Sequence, residues 1–155
     1  MPETISQAFQ ELHFRYLEQF LVALLPMAIT VLIHAQGIGV ATRYFKRFGR
    51  REKAGSATAP HVLVVVVIVA IMLATHFLEV CAWAYFYFFT GMLASITDAM
   101  TYSINAYTTL GATSIDLPGR WKGLGGFEAI AGMLMFGWST AVLVTVVQKL
   151  HSIDS

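Results

Sequence analysis

From Val62 to about Phe89 the chain is dominated by apolar side chains, and residues 63–74 read LVVVVIVAIMLA without a single polar group. A helix of this length crosses the roughly 30 Å of a hydrocarbon core, which takes about 20 apolar residues at 1.5 Å each. Two more stretches are long enough for the same task, Phe20–Val40 (FLVALLPMAITVLIHAQGIGV) and about Leu124 to Leu150. The first is expected to kink at Pro26, and it carries His34, Gln36 and Gly37, groups tolerated at membrane depth where they face protein. Composition agrees: 57% of the 155 residues are hydrophobic and 12% charged, against roughly 25% charged in a soluble domain. The chain therefore reads as an all-α membrane protein with three transmembrane helices. A net charge of +1 leaves no basic excess for nucleic acid, and the lone Cys81 permits neither an intrachain disulfide nor a multi-cysteine metal site.

The cations orient the spans. Arg43, Lys46, Arg47, Arg50, Arg51 and Lys53 are six of the ten Lys and Arg residues, and the positive-inside rule places their link in the cytoplasm. The expected order is an extracytoplasmic segment 1–19, a first span 20–43, a basic cytoplasmic loop 44–61 and a membrane domain 62–150. The localisation expected is the cell membrane, multi-pass, with the N-terminus outside and the C-terminus cytoplasmic. Anionic lipid headgroups are the partners expected for residues 43–53.

Residues 90–123 are too polar to cross the membrane twice and too long for a turn. Ser95-Ile-Thr-Asp98 has the form of a helix start, with Ser95 as N-cap and Asp98 near the exposed N–H groups. The helix expected here covers 95–107; beyond it, TTLGATSIDLPG carries no helical pattern. A short helix followed by extended chain between two spans describes a re-entrant loop. Non-helical backbone at that depth is tolerated only where it is buried in protein or lines a water-filled path. A helix aimed inward would also turn its negative C-terminal end, near Tyr107 and Thr108, toward a cation.

Asp98-Ala-Met-Thr-Tyr-Ser-Ile-Asn-Ala-Tyr-Thr-Thr-Leu-Gly111, with Asp116-Leu-Pro118 after it, resembles the pore helix and filter of the potassium-channel superfamily. Phe127-Glu128-Ala129, Gly132 and Gly137-Trp-Ser-Thr-Ala141 resemble the inner helix of its two-span members. The resemblance covers about 45 residues, Asp98 to Val142, and implies a tetrameric potassium-channel-like pore. It assigns an outer helix to 62–90, a pore helix to 95–107, a filter to 108–114 and an inner helix to 124–150. The first span is an addition to that plan. Thr108, Thr109, Leu110, Gly111, Ala112, Thr113 and Ser114 become the candidate ion-binding residues. The family's Gly-Tyr-Gly-Asp is absent: Ala112 stands at the aromatic position and Thr113 at the second glycine. A β-branched residue there is expected to cost about 1–2 kcal/mol in the left-handed region. The function implied is a homotetrameric channel for monovalent cations, weakly K-selective or non-selective, with no cofactor beyond permeant K⁺ or Na⁺. A non-conducting channel-like scaffold or accessory protein is the alternative, and a haem- or metal-binding membrane protein is a further one.

Several polar residues carry two readings. Glu79, with Asn105 and Asp116, is a candidate filter support that would replace the missing aromatic brace; a locally satisfied glutamate is the other reading. His76 lies one turn before Glu79, a pair able to sense pH. His34 and His76 are candidate haem or metal ligands, although counting from the expected span ends separates their depths by roughly 8 Å. Gly132 and Gly137 are candidate gating hinges or close-packing positions. Glu128 is expected to make an external-side contact. No Ser-His-Asp set, nucleotide loop or carboxylate pair points to enzymatic chemistry.

Overall fold

The computed structural model describes residues 2–49, 58–111 and 114–154. They form four α-helices: α1 (Pro2–Phe48), α2 (Thr58–Phe89), α3 (Ile96–Tyr107) and α4 (Leu124–Asp154). One 3₁₀ turn, Gly119–Trp121, precedes α4, and no strand occurs among the described residues. Among the described residues three stretches are long and apolar enough to cross a membrane: Phe9–Phe48, His61–Phe89 and Gly119–His151.

Helix α1 is longer at both ends than its apolar run. It begins at Pro2, where a missing N–H and a fixed φ suit a first helical position. No glycine or second proline interrupts it before Pro26, and Glu11 precedes Arg15 by four residues, a favourable spacing. At the other end it continues to Phe48, with Lys46 and Arg47 in its last turn, where cations oppose the helix dipole. Arg43, Lys46 and Arg47 of the basic cluster are thus helical; Arg50, Arg51 and Lys53 lie outside the described residues. Pro26 sits inside the helix, and its carbonyl accepts from the Thr30 hydroxyl at 2.9 Å.

The chain divides into two compact units: Met1–Thr30 with Val80–Met133, and Val31–Glu79 with Leu134–Ser155. In both, the buried faces are unlike those of a soluble bundle. The first unit buries Gln19, Ala23, Pro26 and Thr30 from α1, and the second buries His34, Gly37, Ala41 and Phe45. This stripe advances three or four residues at a time, one helical face. Its members are mostly small or polar, whereas Leu21, Leu25 and Leu32 are exposed. Lipid is as apolar as leucine, so helices in a bilayer gain more from close approach of small residues and from hydrogen bonds than from burying aliphatic bulk. Gly37 illustrates the closeness: a Cβ there would overlap the side chain of Thr75.

The first unit packs Trp83, Ala84 and Tyr87 of α2 and Leu124 and Ala131 of α4 around Ala99 and Tyr107 of α3. The Trp83 indole donates to Thr30 Oγ1 at 2.9 Å. The second unit gathers Ala41, Phe45, Val64, Ile68, Met72, Val146 and Leu150.

Candidate functional site: helix α3 and the segment after it

Ser95 is in an extended conformation at the N-cap of α3, and its hydroxyl accepts from the Asp98 N–H at 3.4 Å. An N-cap of this kind contributes about 1 kcal/mol. Ser95→Ala is accordingly expected to lower stability by about 1 kcal/mol, read from thermal unfolding of the purified protein; an unchanged midpoint would remove the cap from the account. Ala99, Ser103 and Tyr107 are the buried positions of α3. Their spacing of four puts them on one face.

A carboxylate holds that face. Glu128, on α4, has no solvent exposure. Tyr87 on α2 donates its hydroxyl proton to Glu128 Oε2 at 2.8 Å, and the Ser103 hydroxyl of α3 bonds Glu128 Oε1. Ser103 Oγ also lies 2.9 Å from the Val80 carbonyl oxygen. A buried carboxylate is costly unless hydrogen-bonded, and here its bonds join three helices. Tyr102, beside this group, meets the Tyr87 ring edge-on with centroids 5.3 Å apart. Burial, with the charges of Glu128 and Asp116 adding to it, pushes the Tyr102 hydroxyl up to about 12.

After α3 the backbone turns sharply. Thr108 closes the helix, its hydroxyl donating to the Ile104 carbonyl at 2.7 Å. Thr109 then adopts φ 62° and Gly111 φ 77°. The left-handed place after a helix is ordinarily glycine's; a β-branched residue there costs about 1–2 kcal/mol. Thr109 is therefore a strained position; Thr113, where the sequence locates strain, lies with Ala112 outside the described residues. Thr108, Thr109, Leu110, Gly111 and Ser114 are all exposed in the single chain, Leu110 at 73%. Thr109 and Gly111 line a cleft of about 280 Å³ with Tyr102, Ala106 and Gly125.

Leu117, buried, anchors the segment's far end. Asp116 pairs with Lys122 at 3.2 Å, and Arg120 pairs with Glu18 of α1. Both pairs are solvent-exposed and contribute little to stability. The Gln19 amide donates to the Arg120 carbonyl at 2.9 Å, so α1 supports the loop that leads into α4.

The remaining expected site residues separate. Asn105 turns its amide to the Thr101 carbonyl of its own helix, at 2.7 Å. Glu79, in the second unit, places its oxygens on His34 and His76, and the carboxylate that bonds Ser103 of α3 is Glu128 of α4. The rings of His34 and His76 have centroids only 5.3 Å apart. The roughly 8 Å difference in depth inferred from residue counts does not hold, because α1 starts and ends outside its apolar run. Gly132 is a contact position: a Cβ there would strike the Tyr107 carbonyl oxygen, whereas Gly137 has no neighbour within 4 Å.

Sequence reasoning passed over Tyr87 and gave Glu128 only an external contact. The available signal was a glutamate within an apolar helix, FEAIAGMLMF, where an ionisable group needs a named partner. Comparison of the chain with protein-family models, curated proteins and solved structures finds no match.

Proposed function

We propose that four copies of this chain assemble into a membrane pore that conducts monovalent cations. The observation that carries the reading is the exposed, non-helical segment Thr108–Gly111 directly after a short helix whose buried face is tied to two long apolar helices. Peptide carbonyls and threonine hydroxyls left uncovered by one chain are the groups that replace a cation's hydration shell in a filter. The C-terminal end of α3 adds the negative end of a helix dipole at the same place. Four copies around an axis would cover Leu110 and Gly111 and bring four such ends together. On this reading α3 and the segment after it form a re-entrant pore loop. The basic link after α1 faces the cytoplasm, the N-terminus is outside, and the pore sits in the cell membrane.

With Ala112 and Thr113 in place of an aromatic and a glycine, the full set of carbonyl rings that discriminates potassium from sodium is not expected. Purified protein in planar bilayers should pass cation current with a small shift in reversal potential between Na⁺ and K⁺ solutions. Gly111→Leu should abolish that current while leaving the size of the assembly unchanged, since φ 77° is closed to leucine without strain. An intact tetramer that stays silent at every voltage and pH would defeat conduction and leave a channel-like scaffold.

A further inference from the structure

Within the second unit, α1, α2 and α4 each contribute polar side chains to one buried cluster. His34 Nδ1 lies 2.8 Å from Glu79 Oε1, and His76 Nδ1 lies 3.3 Å from Glu79 Oε2. His76 and Glu79 share a helical face at a spacing of three residues. On the far side of both rings is one hydroxyl: Ser139 Oγ is 3.0 Å from His76 Nε2 and 3.4 Å from His34 Nε2. All four residues are buried, His34 and Glu79 completely.

The protons these groups carry limit how the cluster can be bonded. Its four contacts connect one carboxylate, two imidazoles and one hydroxyl. Two neutral imidazoles bring two protons and the hydroxyl one, so with Glu79 ionised these four contacts hold at most three protons. Ser139 has a third neighbour, Met72 Sδ at 3.5 Å, to which its hydroxyl donates. A hydroxyl that donates elsewhere can accept from both Nε2–H groups. In that arrangement both Nδ1 lone pairs turn toward the carboxylate, and three electron-pair donors converge.

We propose that His34, His76 and Glu79 bind a divalent transition-metal ion of the zinc type, with Ser139 fixing both histidine tautomers. The ligand atoms of the three residues lie within 4.8 Å of one another. Tetrahedral ligands about 2.1 Å from an ion stand roughly 3.4 Å apart, so small side-chain shifts close the site. Two imidazoles and one carboxylate suit zinc and its first-row neighbours; calcium and magnesium demand more oxygen. Three protein ligands leave a fourth position for water. Trp138 packs 5.3 Å from the His34 ring and Phe136 4.6 Å from the His76 ring, apolar neighbours that lower the local dielectric and strengthen electrostatics there. A haem held by both histidines is a poorer fit, because two axial ligands must approach from opposite faces of the macrocycle. These two rings instead share one carboxylate and one hydroxyl. The bound ion would clamp α1 to α2 inside this unit, whatever the chain conducts.

The test uses wild-type protein stripped with chelator and then titrated with Co²⁺. The result expected is one ion per chain, visible d–d absorption of a tetrahedral site, displacement by Zn²⁺, and a raised unfolding temperature in Zn²⁺. Ser139→Ala should weaken affinity about 10- to 100-fold, the usual effect of removing an outer-shell partner, and Glu79→Gln should abolish the absorption. Wild-type protein that takes up no metal would overturn the proposal and leave a hydrogen-bonded cluster alone. Uptake that persists unchanged in both variants would overturn it as well, by assigning the metal to other histidines.

Discussion

Gly132→Ala is expected to destabilise the protein by about 2–3 kcal/mol, although alanine is the better helix former by about 1 kcal/mol. The new Cβ would meet the Tyr107 carbonyl oxygen, which is backbone and cannot rotate away. Tyr107 is itself 1% exposed, so the end of α3 has no room to retreat. Gly137→Ala on the same helix is the internal control. Nothing lies within 4 Å of that site, and the change should be neutral or stabilising by up to about 1 kcal/mol. Unfolding of both variants in detergent decides the matter, and equal midpoints would show that the Gly132–Tyr107 approach does not matter. For the pore reading, the predicted outcome is loss of current in Gly132→Ala, because the displaced backbone leads into Thr108–Gly111.

The second large effect belongs to Glu128. Truncation to alanine leaves the Tyr87 hydroxyl buried without its acceptor, strips Ser103 of one partner and opens a cavity where three helices meet. Lost hydrogen bonds and cavity together should cost about 3–4 kcal/mol. Glu128→Gln keeps the volume: its amide oxygen can accept from Tyr87 and its NH₂ can donate to Ser103, so less than half that loss is expected. A double-mutant cycle with Tyr87→Phe should return a coupling energy of at least about 1 kcal/mol. Additive effects, or a Glu128→Ala variant within about 0.5 kcal/mol of wild type, would refute the account of this carboxylate as the clasp on α3.

The three long helices were legible because the length of an apolar run is a local property and a bilayer sets the required length. Helix α3 was legible from Ser95 and Asp98, since a cap and a first-turn acid act within a few residues. The extent of α1 was not: no turn residue marks a boundary at Phe20, and helix propensity carries the chain on from Pro2. Glu79 was legible as a group needing a partner, with His76 one turn away on the same helix, but His34 as its second partner was not, nor was the burial of Glu128 against Tyr87 and Ser103. Counting depth from the ends of apolar runs set His34 apart from His76, whereas the approach of Gly37 to Thr75 determines how those helices register.

What the sequence alone determined is an all-α chain with three membrane-length helices, a basic link and a short capped helix. Each of those follows from run length, charge or capping inside one segment. Only the tertiary structure decided that Glu128 serves α3, that Glu79 serves two histidines, and that Thr109 carries backbone strain. These depend on the rotation and register of one helix against another. A shift of a single residue turns a side chain by about 100°, enough to exchange one partner for another or for lipid.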